Sequence, residues 1–264
     1  MNTSALSCRL LPYEVADGPH NMAADEVLLE TAAAGRASLR FYGWSPPTLS
    51  LGYFQPVRLR QEEEHLADLA YVRRPSGGMT LVHDHEITYA LALPAGFCPS
   101  PKRERGVGPN PSFTLRARTE SWLQRMHWII AAALAEQGVL VELHQGPSGP
   151  PGSGPLCFHH VTPGDLLLGR AKVVGSAQRK QREALLQHGG ILLAGSRYTP
   201  SLPGIRELRG QNLDVGETCW AIQKNLGTET GWDLVAEDWT NQERQRIEEV
   251  ALNKYTKASW NDRR

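Results

Sequence analysis

The sequence predicts an α+β (α/β) chain, and three observations predict it. Residues 121–137 repeat apolar side chains at helical spacing, with Trp122, Met126, Ile129, Ile130, Ala133 and Leu134 on one face. Residues 172–179 and 183–193 read as two strands joined by a charged turn. Glycines interrupt both strands, at Gly175-Ser176-Ala177 and His188-Gly189-Gly190. Glycine inside a strand pattern marks a bulge or a close approach to the backbone. The 264 residues suffice for one large domain or two small ones with a substantial core.

Taken in order, residues 8–15 form a short strand-like entry. A helix follows from Asn21, read as its N-cap, to Gly35, with Ala24, Val27, Leu28 and Thr31 on one side. Residues 38–42 and 48–53 alternate as strands around Trp44-Ser45-Pro46-Pro47, and residues 61–69 read as a short helix. Residues 71–84 give a strand, a Gly-Gly turn and a second strand. Residues 99–118, rich in Pro, Arg, Lys and Gly, predict a mobile excursion. Residues 139–143 form a strand, and 144–156, containing GPSGPPGSGP, a second mobile loop. Helices at 203–209, 216–226 and 241–255 complete the chain.

Lys plus Arg and Asp plus Glu both number 28, so whole-chain charge predicts neither a nucleic-acid nor a membrane partner. Cys8, Cys98, Cys157 and Cys219 form no CxxC pair. That spacing fits reduced cytoplasmic thiols better than disulfides or a metal site. The first dozen residues carry no signal-peptide pattern, and no apolar run approaches the roughly 20 residues of a membrane span.

The chemistry concentrates in residues 157–193. Cys157 follows the Pro/Gly/Ser loop directly, and Lys172 sits beside Val173 and Val174. A thiol, a half-buried amine and glycine-lined strands point to an acyl-handling pocket. Against this stand a cysteine that merely packs and a lysine whose stem runs along the core edge. In RRPSGG (73–78), Gly77 and Gly78 let backbone amides approach a ligand while Arg73 and Arg74 supply charge. No GxxxxGK[ST] is present.

The motifs NMAADEVLLE (21–30), RFYGWSPPTLSLGYFQ (40–55), RRPSGG followed by HD, CF (157–158), GRAKVVGSAQRK (169–180) and LQHGGILL (186–193) resemble the biotin/lipoate protein ligase and transferase superfamily. They look most like its cysteine-dependent octanoyltransferases. Residues 10–226 carry the resemblance. It implies a single domain over 8–255, with a mixed, mostly antiparallel sheet flanked by helices. It also implies octanoyl transfer from acyl carrier protein, through a Cys157 thioester, to a lysine of a lipoyl domain or glycine-cleavage H protein, without a cofactor. Lys172 becomes the partner of Cys157. Arg74, Ser76, Gly77, Gly78 and His83 line one wall of the pocket, and Gly175, Ser176, Ala177, His188 and Gly189 the other. His83, His159, His160 and His188 are possible proton acceptors, and the sequence does not choose among them. Arg179, Lys180 and Arg182, with Lys102, Arg103 and Arg105, would either dock the acidic protein partners or form no more than a solvated charged surface. Two alternatives stay open: an ATP-dependent lipoate–protein ligase, which leaves Cys157 without a role, and a non-catalytic relative that binds lipoyl domains. Met79 stands where many ATP-dependent members have glycine.

Overall fold

The computed structural model describes residues 6–61, 64–94, 97, 121–148, 156–181 and 183–264. The loop expected at 99–118, and residues 149–155 of the one expected at 144–156, lie outside them.

The centre of the fold is β7 (Glu86–Pro94), buried along its whole length. Its side chains alternate. Ile87, Tyr89, Leu91 and Leu93 join the core beneath two helices, while Ala90 and Ala92 join the core of a third. β3 (Ser38–Trp44) pairs antiparallel with one edge of β7, and β11 (Ala184–Leu192) with the other. β10 (Ala171–Gln181), β9 (Leu166–Leu168) and β8 (Glu142–Leu143) continue that side antiparallel. β1 (Ser7–Leu10) adds parallel to β3, and β12 (Asp233–Ala236) adds parallel to β1. With β2 (Glu14–Ala16), parallel to β3, this makes a nine-stranded mixed sheet among the described residues. A three-stranded sheet of β5 (Ala70–Arg73), β4 (Thr48–Leu51) and β6 (Leu81–His83) stands beside it.

On one face lie α3 (Trp122–Glu136) and α5 (Val215–Thr230). All six apolar residues expected on the α3 face are buried, and Ser121 caps the helix in a reciprocal box with Gln124. On the other face lie α1 (Gly18–Ala33) and α6 (Asn241–Val250). The small Ala90 and Ala92 leave room for α1 to pack its Met22, Val27 and Leu28 against the sheet.

α1 begins one turn earlier than expected. Asp17 is its N-cap, accepting from the His20 N–H at 2.9 Å. Asn21 is instead buried inside the helix. Its amide donates to the carbonyls of Ala16 and Gly43, and its Oδ1 accepts from Arg40. A cap needs its side chain free to turn back on the helix, and here tertiary acceptors hold it. The strands expected at 38–42 and 48–53 also part company, since β3 enters the large sheet and β4 the small one. Of the helix expected at 61–69, the described residues show the single turn α2 (Glu64–Ala67), and a 3₁₀ turn, Val57–Arg60, precedes the expected span. Further on, α4 (Ile205–Arg209) is one short turn, and α6 passes into a π turn, Ala251–Tyr255. α7 (Ala258–Asn261) then packs against β5.

Gly52, just past β4, abuts the RRPSGG turn. A Cβ there would lie 1.8 Å from the carbonyl oxygen of Gly78. Gly52→Ala is therefore expected to lower the urea midpoint by an amount equivalent to on the order of 3 kcal/mol. An unchanged midpoint would mean that the turn does not rest on the Gly52 backbone.

Candidate active site

Lys172 enters the site from β10 at a register shift between Lys172 and Val174. Its ammonium is nearly enclosed, because Gly175 leaves it space: a Cβ on Gly175 would stand 2.5 Å from Lys172 Cε. Nζ donates to Asp165 Oδ2 at 2.8 Å, to the carbonyl of His160 at 3.2 Å and toward Cys157 Sγ at 3.7 Å. Asp165 is fixed by its own turn. The Thr162 N–H and hydroxyl donate to Oδ2 at 2.7 and 3.0 Å, and Gly164 takes the positive φ of 99° that the turn needs.

Cys157 is half-buried at the start of a single 3₁₀ turn, Cys157–His159. Its backbone N–H donates to the carbonyl of Thr80 at 2.7 Å, which fastens the thiol to the end of the RRPSGG turn. Cys157 lines an apolar cavity whose space, open mouth included, is about 490 Å³. Trp44, Tyr42, Met79, Leu81 and Phe158 supply apolar walls, and the β10–β11 glycines narrow one side. These glycines are sterically required. A Cβ on Gly189 would lie 2.2 Å from Ser176 Oγ, and one on Gly190 would lie 2.6 Å from Glu86 Oε2.

Of the residues expected at the site, Arg74, Gly78, His83, Cys157, Gly175, Ser176, Ala177, His188 and Gly189 line this cavity, and Lys172 reaches it through its contact with Cys157. Arg74 is spent on scaffolding. It donates to Ser50 and to the carbonyls of Gly77 and Met79, and so holds the turn in shape. Burial lowers its pKa from the usual 12.5. Ser76 stands behind the wall, its hydroxyl 2.6 Å from His188 Nε2. Gly77 contributes a carbonyl to Arg74.

Arg73 does not belong to the pocket. Neighbouring side chains of an extended segment point to opposite sides, so Arg73 and Arg74 diverge. The Arg73 guanidinium binds the carbonyls of Asn261, Gly52 and Gln55, and ties α7 to the loop after β4. Among the histidines, His159 reaches Ser201 at 3.0 Å, outside the cavity wall.

Several positions around the cavity escaped sequence reasoning. Asp165 anchors Lys172, and Asp25, on α1, accepts from His188 Nδ1 at 2.7 Å and from the Tyr42 hydroxyl at 3.1 Å. Glu86 pairs with His83 Nδ1 at 2.5 Å, Ser50 sits 2.7 Å from His83 Nε2, and Trp44 stacks on the His83 ring. His127 approaches from α3. The TPGD turn was the legible signal for Asp165; the others depend on strand and helix placement. Among the described residues, no cluster of three or more His, Cys, Asp or Glu could hold a metal ion.

Residues 17–200 match the family model for the lipoyl protein ligase A/B catalytic domain. The chain belongs to that family. Lipoyl protein ligase A/B relatives of similar length include a protein named octanoyltransferase LipM from Geobacillus kaustophilus, 31% identical over 92% of this chain and 94% of its own. A second octanoyltransferase LipM, from Moorella thermoacetica, is 30% identical over 97% of this chain and 98% of its own. Among solved structures, a lipoate-protein ligase A bound with ATP superposes with a TM-score of 0.69 at 17% identity, over 97% of this chain and 99% of its own. A bi-partite lipoate protein ligase from Thermoplasma acidophilum gives 0.67 at 14%, over 98% and 97%. These two bear on the fold, an α/β arrangement with a large mixed, mostly antiparallel sheet.

Two measurements check the site's electrostatics. Burial pushes the Cys8 and Cys219 thiols up to about 12, so neither supplies thiolate near neutrality. In a Cys98→Ser background, iodoacetamide at pH 7.5 should carboxamidomethylate Cys157 before Cys8 or Cys219. Equal labelling of the three would contradict the exposure and polarity described. Separately, burial lowers the pKa of His83 below 6.5, with Glu86 acting in the opposite sense. The unfolded chain therefore binds a proton that the folded one refuses, and the stability present above pH 6.5 is lost progressively as pH falls below that value to the lower one of the folded state. His83→Gln should show a shallower acid-side loss of urea midpoint than the wild type; identical slopes would count against it.

Proposed function

We infer that the protein is an octanoyltransferase of lipoate biosynthesis that carries the acyl group on Cys157. The observation that supports this most is Cys157 Sγ 3.7 Å from the Lys172 ammonium at an apolar cavity. In the first half-reaction the Cys157 thiolate attacks the carbonyl carbon of an octanoyl thioester on acyl carrier protein. The carbon–sulfur bond to the donor breaks, and the donor leaves as a thiolate that takes its proton from solvent. One thioester replaces another, so no nucleotide is consumed. In the second, a lysine amine of a lipoyl domain or glycine-cleavage H protein attacks the same carbon. An amide forms, Cys157 leaves as thiolate and the amine's proton passes to solvent. Lys172 keeps a positive charge beside the sulfur in both steps, where it stabilises anionic sulfur. The reaction belongs in the cytoplasm, where such a thiol stays reduced. Arg179, whose guanidinium donates to Pro75 O at 2.6 Å, and Lys180 bring positive charge next to the RRPSGG turn, where an acidic partner would dock.

The direct test is mass spectrometry after incubation with octanoyl carrier protein and no nucleotide. One octanoyl group should appear on Cys157, be released by hydroxylamine, and be absent from Cys157→Ala. Transfer by Cys157→Ala at the wild-type rate would contradict the Cys157 thioester, and modification of the acceptor by Cys157→Ala only with free acid and ATP would instead favour an ATP-dependent ligase.

Lys172 needs a paired test, because the Asp165 carboxylate is buried against it. Lys172→Met alone leaves that carboxylate unpaired, at a cost of roughly 3–5 kcal/mol. The double variant Lys172→Met/Asp165→Asn removes both charges and should keep the fold. Its acylation rate should fall by about a hundredfold or more. An unchanged rate in the folded double variant would reduce Lys172 to a packing residue.

A further inference from the structure

The cavity has a direction. Its reacting end lies at β10, where Lys172 Nζ stands 3.7 Å from Cys157 Sγ and the missing side chain of Gly175 leaves room for the lysine. From Gly175 the row of register partners crosses the sheet through Gly190 on β11 and Thr88 on β7 to Tyr42 on β3. Gly175, Thr88 and Tyr42 line the cavity, and at Gly190 the space over the strand is filled by Glu86. Three strand spacings separate the two ends of that row, about 14 Å.

The far end is closed by groups of unequal stiffness. The Tyr42 hydroxyl donates to Asp25 at 3.1 Å, and the Arg40 guanidinium lies 3.7 Å over the Tyr42 ring. Trp44 donates from Nε1 to Thr88 at 2.7 Å and stacks on His83 with 3.8 Å between ring centroids. Both rings are pinned by polar partners. The third wall group is Met22, 1% exposed, near the start of α1. Asn21 beside it donates to the carbonyl of Gly43, and Asp25 one turn on accepts from Tyr42, so both bonds seat Met22 over β3. There it joins Tyr42 and Trp44 in one apolar cluster. A thioether makes no strong hydrogen bond and the methionine side chain has three rotatable bonds, so Met22 fills the space that the two rings leave.

We propose that Met22 sets the acyl-chain length the protein accepts, by closing the end of the cavity opposite Cys157. The proposal rests on the acyl-Cys157 reading and adds to it the residue that selects eight carbons. In an extended octanoyl chain, seven carbon–carbon bonds of about 1.5 Å zigzag to on the order of 9 Å, and the bond to sulfur adds roughly 2 Å. Of the roughly 14 Å between β10 and β3, the thickness of the end wall takes the remainder. The terminal methyl therefore meets Met22 and the Tyr42 ring. Two further methylenes add on the order of 2.5 Å, and the pinned rings cannot yield it. Truncating Met22 at Cβ deletes three heavy atoms, which opens room for about two methylenes. A phenyl ring in its place takes room away.

The test offers an equimolar mixture of hexanoyl, octanoyl, decanoyl and dodecanoyl acyl carrier protein, without nucleotide, and reads the acyl groups on Cys157 by intact mass before the reaction is complete. The wild type should take octanoyl at least about tenfold faster than dodecanoyl. Met22→Ala should raise the decanoyl-to-octanoyl ratio by about tenfold, since each newly buried methylene brings a severalfold preference. Met22→Phe should move the other way and raise the hexanoyl-to-octanoyl ratio by about threefold or more. Each ratio is taken within one preparation, so it does not depend on how much of a variant is folded; lost stability alone would depress every chain length in parallel. An unchanged ratio in either variant, or no length preference in the wild type, would overturn the proposal and leave acyl-Cys157 standing. Absence of every acyl adduct from the wild type would overturn the transferase reading with it.

Discussion

The site depends on one shared cation. The Lys172 ammonium is divided among the Asp165 carboxylate, the His160 carbonyl and the Cys157 sulfur. Asp165 gives the shortest of the three contacts and fixes where the charge sits. The sulfur is met last and at longest range, so a reacting carbon can come between the thiol and the cavity without breaking the ion pair. Burying a charged pair of this kind costs desolvation and returns little net stability. Its retention in a tight, glycine-cleared slot is better explained by chemistry than by folding.

The surrounding architecture serves that slot. β10 and β11 pair so that Gly175 faces Gly190 and Ser176 faces Gly189. Each missing Cβ makes room for a polar group: Lys172 at Gly175, Ser176 at Gly189 and Glu86 at Gly190. Burying these groups needs a partner for each, and the partners arrive from every layer. α1 supplies Asp25 to His188, α3 supplies His127 to Ser176, and β7 supplies Glu86 to His83. The wide sheet and the helices on both its faces are what bring Asp25, Glu86 and His127 to partners that stand in the cavity wall.

Much of this could be read from the chain. Cys157 after a Pro/Gly/Ser loop, Lys172 in an apolar strand and the paired glycine interruptions all fall at the cavity. The long periodic α3 was equally legible. Arg73 was misread because two adjacent arginines were credited to one pocket, although strand alternation separates them. Asn21 was misread because its side chain finds acceptors distant in sequence. β12 is four residues on a sheet edge, held through parallel pairing to β1 at the opposite end of the chain; no local pattern announces it. Asp25 and His127 lie on helices whose sequences advertise packing, and only the sheet's order brings them to Ser76's and Ser176's side of the site.

The central claim is that an acyl chain, held as a thioester on Cys157, lies in the apolar cavity between the RRPSGG turn and the β10–β11 glycines. A crystal structure of the protein after reaction with an octanoyl thioester tests it most directly. Continuous density from Cys157 Sγ into the space between Trp44 and Gly189, with Lys172 still bonded to Asp165, is the predicted result. An unmodified Cys157, or an acyl chain bound elsewhere with that cavity collapsed, would contradict the account.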